Sequence, residues 1–185
     1  MKNLISLSLL LLTIILLFGV NTLKNENVYK NNLIDSLEVQ ILKLDSIEYR
    51  YSEFLPIGNP LDTIIVGSEF GSRKDPKTGR WSFHEGVDLN GTPWDTVYAS
   101  GSGVISLSGN CGGYGRCIVI DHVSGLKSRY AHLTKIFIKK RGLVKKGDPI
   151  GTVGKTGYTT GYHLHYEIIK DSIYVDPLKW IQLSN

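Results

Sequence analysis

The sequence predicts a mainly β fold: an antiparallel β-sheet domain with an open groove, preceded by an N-terminal membrane helix and a short helical stalk. Three observations carry this. The first twenty residues are almost wholly apolar. The next stretch places apolar residues three and four apart. From Leu61 onward, short apolar segments alternate with turns. A count of 20 glycines against 6 prolines in 185 residues fits a chain that turns often.

Residues 1–22 come first. Leu4 to Val20 is apolar except for Ser6, Ser8, Thr13 and Gly19, and Lys2 precedes the run. About 17 to 20 such residues just span a bilayer core. A cleaved export signal carries small residues at A-x-A-like spacing after its apolar run. Phe18-Gly19-Val20-Asn21-Thr22-Leu23 offers no such site, and no cysteine follows closely enough for lipidation. The segment therefore reads as an uncleaved anchor rather than a cleaved signal. Either reading puts the rest of the chain outside the cytoplasm, anchored at the outer face of a membrane or exported.

Residues 23–60 form the stalk. A helix is predicted over 28–55, with Ile34, Leu37, Ile41, Leu44, Tyr51 and Leu55 on one seam and Glu48 in the remaining slot. A seam this short sits at the lower limit for a coiled coil. Two readings stay open: self-association or a partner helix through residues 28–55, and an amphipathic helix lying on its own domain. Leu55-Pro56-Ile57-Gly58-Asn59-Pro60 stops the helix.

Residues 61–185 form the β domain. Strands are predicted at 63–66, 83–89, 96–98, 104–107, 117–122, 127–131, 150–153 and 164–168. Turn-forming stretches such as Asp75-Pro76-Lys77-Thr78-Gly79 separate them, the pattern of an antiparallel domain.

The net charge of +4 is a mild basic excess that solubility explains. No basic run is interleaved with aromatics, so nucleic acid is not an expected partner. Cys111 and Cys117 bracket Gly-Gly-Tyr-Gly-Arg. In an exported chain this pair reads as a disulfide across a tight turn. Two cysteines alone do not make a four-ligand structural metal site.

The histidines carry the chemistry. In His163-Leu164-His165 a strand puts both imidazoles on one side and Leu164 on the other. In His84-Glu85-Gly86-Val87-Asp88 a continuous strand would put His84 and Asp88 on one face, with Gly86 leaving open space between them. Each motif alone is weak. Together, two imidazoles and a carboxylate match the three-ligand set of catalytic zinc, which keeps one position for water. His163 and His132, in Tyr130-Ala131-His132-Leu133, remain as unligated imidazoles suited to acid–base work. His122 ends a strand and reads as structural.

His84-x-x-x-Asp88 followed far downstream by His163-x-His165 resembles the lysostaphin-type (LytM-like) zinc metallopeptidases, which are peptidoglycan endopeptidases. Flanking segments agree in order: Phe70-Gly71-Ser72-Arg73, Tyr98-Ala99-Ser100-Gly101-Ser102-Gly103-Val104, Tyr130-Ala131-His132-Leu133, Lys145-Lys146-Gly147-Asp148-Pro149-Ile150-Gly151, and Thr159-Thr160-Gly161-Tyr162-His163-Leu164-His165-Tyr166-Glu167. The resemblance spans roughly residues 61 to 180. It implies one Zn²⁺ held by His84, Asp88 and His165, with His163 and His132 as the catalytic histidines. The cysteine pair and Trp94-Asp95 depart from the family pattern, both in turns.

The resemblance further implies a zinc-dependent endopeptidase acting on peptidoglycan cross-links, with a D,D-cross-link preferred by analogy. Some relatives lose ligands and act as non-enzymatic activators of other wall hydrolases. Every ligand position is filled here. Masking by the 28–55 helix or by residues 74–82 remains a second reading, and an exported peptidase acting on a protein a third.

Overall fold

The computed structural model describes residues 10–11 and 27–181. The predicted anchor, residues 1–22, therefore lies outside the described residues apart from Leu10 and Leu11. Among the described residues no helix is long and apolar enough to cross a membrane. The chain divides into two compact units, residues 1–47 and 48–185.

Helix α1 runs over Asn27–Ser52. Arg50 lies in its last turn, where a cation meets the negative end of the helix dipole. Predicted to reach Leu55, it stops at Ser52. Pro56 disfavours helical backbone at the residue before it, and the last three residues unwind as turns. Ile34, Ile41 and Leu44 on the predicted seam are exposed.

Thirteen strands follow among the described residues: β1 Val66–Ser68, β2 Gly71–Lys74, β3 Trp81–His84, β4 Val87–Asn90, β5 Thr96–Tyr98, β6 Gly103–Asn110 and β7 Arg116–Asp121. Then come β8 Leu126–Leu133, β9 Lys135–Ile136, β10 Leu143–Val144, β11 Pro149–Thr152, β12 His163–Lys170 and β13 Ile173–Val175, with a one-turn helix α2 at Leu178–Ile181. All pairings are antiparallel. The main sheet has the order β1-β4-β12-β8-β7-β6-β10, with β13 also on β12. A second sheet has the order β5-β11-β9, and β2-β3 is a hairpin of its own.

Period-two alternation decides which face of the main sheet is apolar. Val87 and Leu89 from β4, Ile118 and Ile120 from β7, and Leu164, Tyr166 and Ile168 from β12 are fully buried. They join Val97 and Ile150 of the second sheet in one core. At about 25 cal/mol per Å² of apolar area, this burial is the main force holding the sheets together. A polar chain crosses the core. Tyr166 donates to Ser100 Oγ (2.7 Å), Tyr130 Oη lies 2.8 Å from Ser100 Oγ and 3.0 Å from Ser128 Oγ, and Ser128 Oγ lies 2.8 Å from His122 Nε2. His122 is thus structural, as its place at a strand end predicted.

Two predicted strands need correction. Of residues 63–66 only Val66 joins the ladder, and the register shifts between it and Ser68, although Asn90 already donates to the Ile65 carbonyl at 2.8 Å. The predicted strand 83–89 is two strands, β3 and β4, broken at Glu85-Gly86. Gly86 does not open a space between His84 and Asp88. A Cβ there would sit 2.5 Å from the Tyr166 carbonyl oxygen and 2.8 Å from Glu167 Cγ. The glycine lets the bend press against β12, which a uniform strand could not do.

Cys111 and Cys117 form the predicted disulfide, with Cα atoms 5.9 Å apart. It closes a loop whose Gly115 has φ +64°. A Cβ at Gly115 would lie 2.4 Å from Thr156, so only glycine fits both the turn and the approach.

Candidate metal centre

The sheet register assembles the centre. On β12, His165 stands directly opposite Asp88 of β4. His84, the last residue of β3, swings in over them through the Glu85-Gly86 bend. Asp88 Oδ1 lies 2.8 Å from His165 Nδ1 and 3.1 Å from His84 Nε2, and the two nitrogens are 3.1 Å apart. The predicted triad therefore converges, although by a bend rather than along one strand. Among the described residues these three are the group of His, Cys, Asp or Glu side chains able to share an ion.

The rings' other nitrogens reveal which tautomers they hold. His84 Nδ1 donates to the Glu69 carbonyl (2.8 Å), which can only accept. His165 Nε2 donates to Glu167 Oε1 (3.0 Å), a carboxylate that Arg129 Nη1 holds at 2.8 Å. Both lone pairs are therefore left pointing at Asp88 Oδ1 and at each other. Three acceptors crowded this closely need a cation between them. Two imidazole nitrogens and one carboxylate oxygen suit zinc with a position left for water, so the residues present fit that ion.

His132 reaches the centre by a route the alternation rule does not give. Tyr130, two residues earlier on β8, is in the core. A regular strand would put His132 there too. Instead, the step from Tyr130 to Leu133 on β8 spans three residues, while the partners Ile118 to Arg116 on β7 span two. The extra residue is a β-bulge, and His132 has φ +61°. Bulges re-aim side chains beside functional sites. Here the His132 ring comes 4.9 Å from that of His163 and 5.8 Å from that of His165.

His132 Nδ1 donates to the Thr156 carbonyl at 2.8 Å, and His163 Nδ1 to the Gly161 carbonyl at 3.1 Å. Each keeps Nε2 free as a base. His163 Nε2 stands 3.5 Å from Asp88 Oδ1.

Burial pushes the His132 pKa down to about 4, and its bond to Thr156 offsets this only in part. Burial also lowers the His163 pKa, although the nearby Asp88 charge opposes it. Both rings are neutral bases at neutral pH. Burial works against the Asp88 carboxylate, but the adjoining His165 and His84 rings outweigh it and hold its pKa well below the usual range. Burial disfavours charge on His165 too, and Asp88 and Glu167 on either side overcome it and raise its pKa.

Residues 82–177 match peptidase family M23. This chain belongs to that family. It is 43% identical over 108 residues to the DD-carboxypeptidase/endopeptidase Mpg of Neisseria meningitidis, an alignment covering 58% of this chain and 25% of the relative. The chain thus spans about a quarter of that relative's length. A zinc-containing peptidase from Vibrio cholerae superposes with a TM-score of 0.61 at 38% identity, over 67% of this chain and 39% of that one. The catalytic domain of lysostaphin from Staphylococcus simulans gives 0.59 at 30% identity, over 64% of this chain and 92% of that one.

Around the M23 centre stand residues that sequence reasoning passed over. Glu167 was legible, because His163, His165 and Glu167 share one face of a strand by the same period-two rule. Tyr114 had no such signal. It sits inside the disulfide loop, 5.7 Å from the His165 ring, donates to Glu85 Oε2 at 2.9 Å and lies under Arg129. Arg73, in the hairpin, approaches Asp88 Oδ2 at 3.3 Å. The centre opens into a cavity of about 490 Å³ lined by both residues and by Lys77 and Tyr158.

Proposed function

We propose that this M23 domain is a zinc-dependent endopeptidase that hydrolyses peptide cross-links of bacterial peptidoglycan, with the D,D-cross-link as its preferred bond. One observation carries the reading. His84, Asp88 and His165 converge on one point while His132 and His163 keep free basic nitrogens beside it. An ion-binding protein without catalysis has no use for the second pair.

When bound, a zinc ion held by His84, Asp88 and His165 supplies a Lewis acid and lowers the pKa of water toward ~7. His163 takes the proton of the attacking water at Nε2, and the Asp88 charge 3.5 Å away stabilises the resulting imidazolium. His163 then passes that proton to the leaving amine. His132 Nε2, kept neutral by burial, accepts a hydrogen bond from the water and orients it. Glu167 and the Glu69 carbonyl hold the two ligand imidazoles in the tautomers that leave Nδ1 of His165 and Nε2 of His84 free.

The chain works outside the cytoplasm, with residues 1–22 as its membrane anchor. A disulfide in the catalytic half suits an oxidising compartment. The test is incubation of the full chain with isolated peptidoglycan, with chelator, without it, and with zinc restored. Mass analysis should find uncross-linked stem peptides released only when metal is present. A zinc-loaded protein that releases none defeats the proposal.

A further inference from the structure

Arg73 is a half-buried cation with little to do in the free protein. It lies on β2 across from Ser82, and Gly71 faces His84, so Arg73 and His84 share one face of the hairpin. Its side chain is 29% exposed and lines the cavity. Its one hydrogen bond among the described residues runs from Nη2 to Asp88 Oδ2 at 3.3 Å. Nε is buried with no partner at all. A guanidinium presents five donors in a fixed fork that matches a planar carboxylate, and a buried donor left unmet forfeits the hydrogen bond it made to water.

The acidic residues along the same wall do not meet this demand. Asp75 Oδ1 accepts from the backbone of Lys77 and Thr78 and from Tyr158 Oη. Glu85 is taken by Tyr114. Asp88 offers Arg73 one long contact and commits its other oxygen to the centre. Lys77 adds a second positive charge to the wall, its Nζ 3.8 Å from the centroid of the Tyr158 ring.

We propose that Arg73 is a specificity-determining residue that receives a substrate carboxylate borne on the carbon next to the leaving nitrogen. The inference rests on the endopeptidase reading above. In a D-alanyl–diaminopimelate cross-link, the carbon that bears the leaving amine also bears a free carboxylate. That carboxylate is separated from the scissile carbonyl carbon only by the peptide nitrogen and one carbon. Arg73 is separated from the ligand oxygen of Asp88 only by the width of that same carboxylate. A substrate seated with its carbonyl at the centre therefore brings its carboxylate to the guanidinium fork. A bridge made of internal peptide bonds, with no free carboxylate there, gains nothing from Arg73.

The test uses the zinc-loaded full chain and a pair of directly cross-linked stem-peptide dimers, identical except that this carboxylate is free in one and amidated in the other. The wild type should favour the free carboxylate by roughly tenfold or more in kcat/KM, because a site built to bind such a group rejects the analogue lacking it. Arg73→Gln should cut both at similar rates, with zinc content unchanged, and Arg73→Lys should retain part of the preference. A wild type that cuts both equally, or an Arg73→Gln protein that keeps the preference, overturns the assignment and leaves the endopeptidase reading standing. A wild type that cuts neither overturns both.

Discussion

Glu167, wholly buried, accepts a hydrogen bond at 3.0 Å from His165, two residues before it on the same face of β12. The bond fixes the ring so that Nδ1 points at Asp88. Glu167→Gln keeps the shape but removes the charge that Arg129 balances. Zinc affinity should fall by about 10- to 100-fold. Competition with a chelator of known affinity measures it, and an unchanged dissociation constant would show that Glu167 does not act through the metal ligand.

Replacing His165 or Asp88 by Ala should remove metal and activity together. His163→Ala should keep zinc and lose about 10²- to 10⁴-fold in kcat. His132→Ala should also keep zinc and slow turnover. Metal analysis alongside kinetics separates the two classes, and a His163→Ala enzyme with near-normal turnover would sink its role as proton carrier.

Gly86→Ala places a methyl group 2.5 Å from the Tyr166 carbonyl and 3.0 Å from His165 Cε1. β12 must yield, so zinc content should drop and stability should fall by about 1–3 kcal/mol. Gly113→Ala, whose Cβ meets nothing within 4 Å, is the control. Thermal melting and metal content of both proteins decide the point.

Acid should destabilise the fold before any carboxylate titrates. Burial lowers the His122 pKa below its ordinary 6.5, against opposition from its bond to the Ser102 carbonyl and from Asp121. The unfolded chain thus takes up this proton first as pH falls. The stabilising contribution is complete above about 6.5 and is lost as pH drops through the lower folded value. His132, at about 4, extends the same window. Urea midpoints should fall between pH 7 and pH 5, and His122→Gln should flatten that dependence. An unchanged slope in the variant would remove His122 from the account.

Period-two alternation made most of the centre legible. It placed His163 with His165 and put Leu164 in the core, while the close spacing of short strands and turns identified the domain as antiparallel. Strand pairing across β4 and β12 was not legible, since register depends on contacts far apart in sequence. The bend at Gly86 escaped for the same reason: the glycine answers to the Tyr166 backbone eighty residues away. His132 was named as an imidazole left over beside the ligand set, a role the family likeness also implied, yet alternation alone would have buried it beside Tyr130, because one residue inserted in β8 is invisible without β7. Arg73 and Tyr114 sit in a hairpin and a loop, where no periodicity reports direction.

The β2–β3 hairpin is hydrogen-bonded as a ladder separate from the main sheet, yet it supplies His84 to a centre whose other ligands lie on β4 and β12. An ion gripped by all three is a mechanical tie between two ladders as well as a chemical tool. Filling the centre should slow amide exchange along Gly71–Lys74 and Trp81–His84, and stripping it should expose the hairpin to proteases. Occupancy can thus be followed in this chain without any substrate.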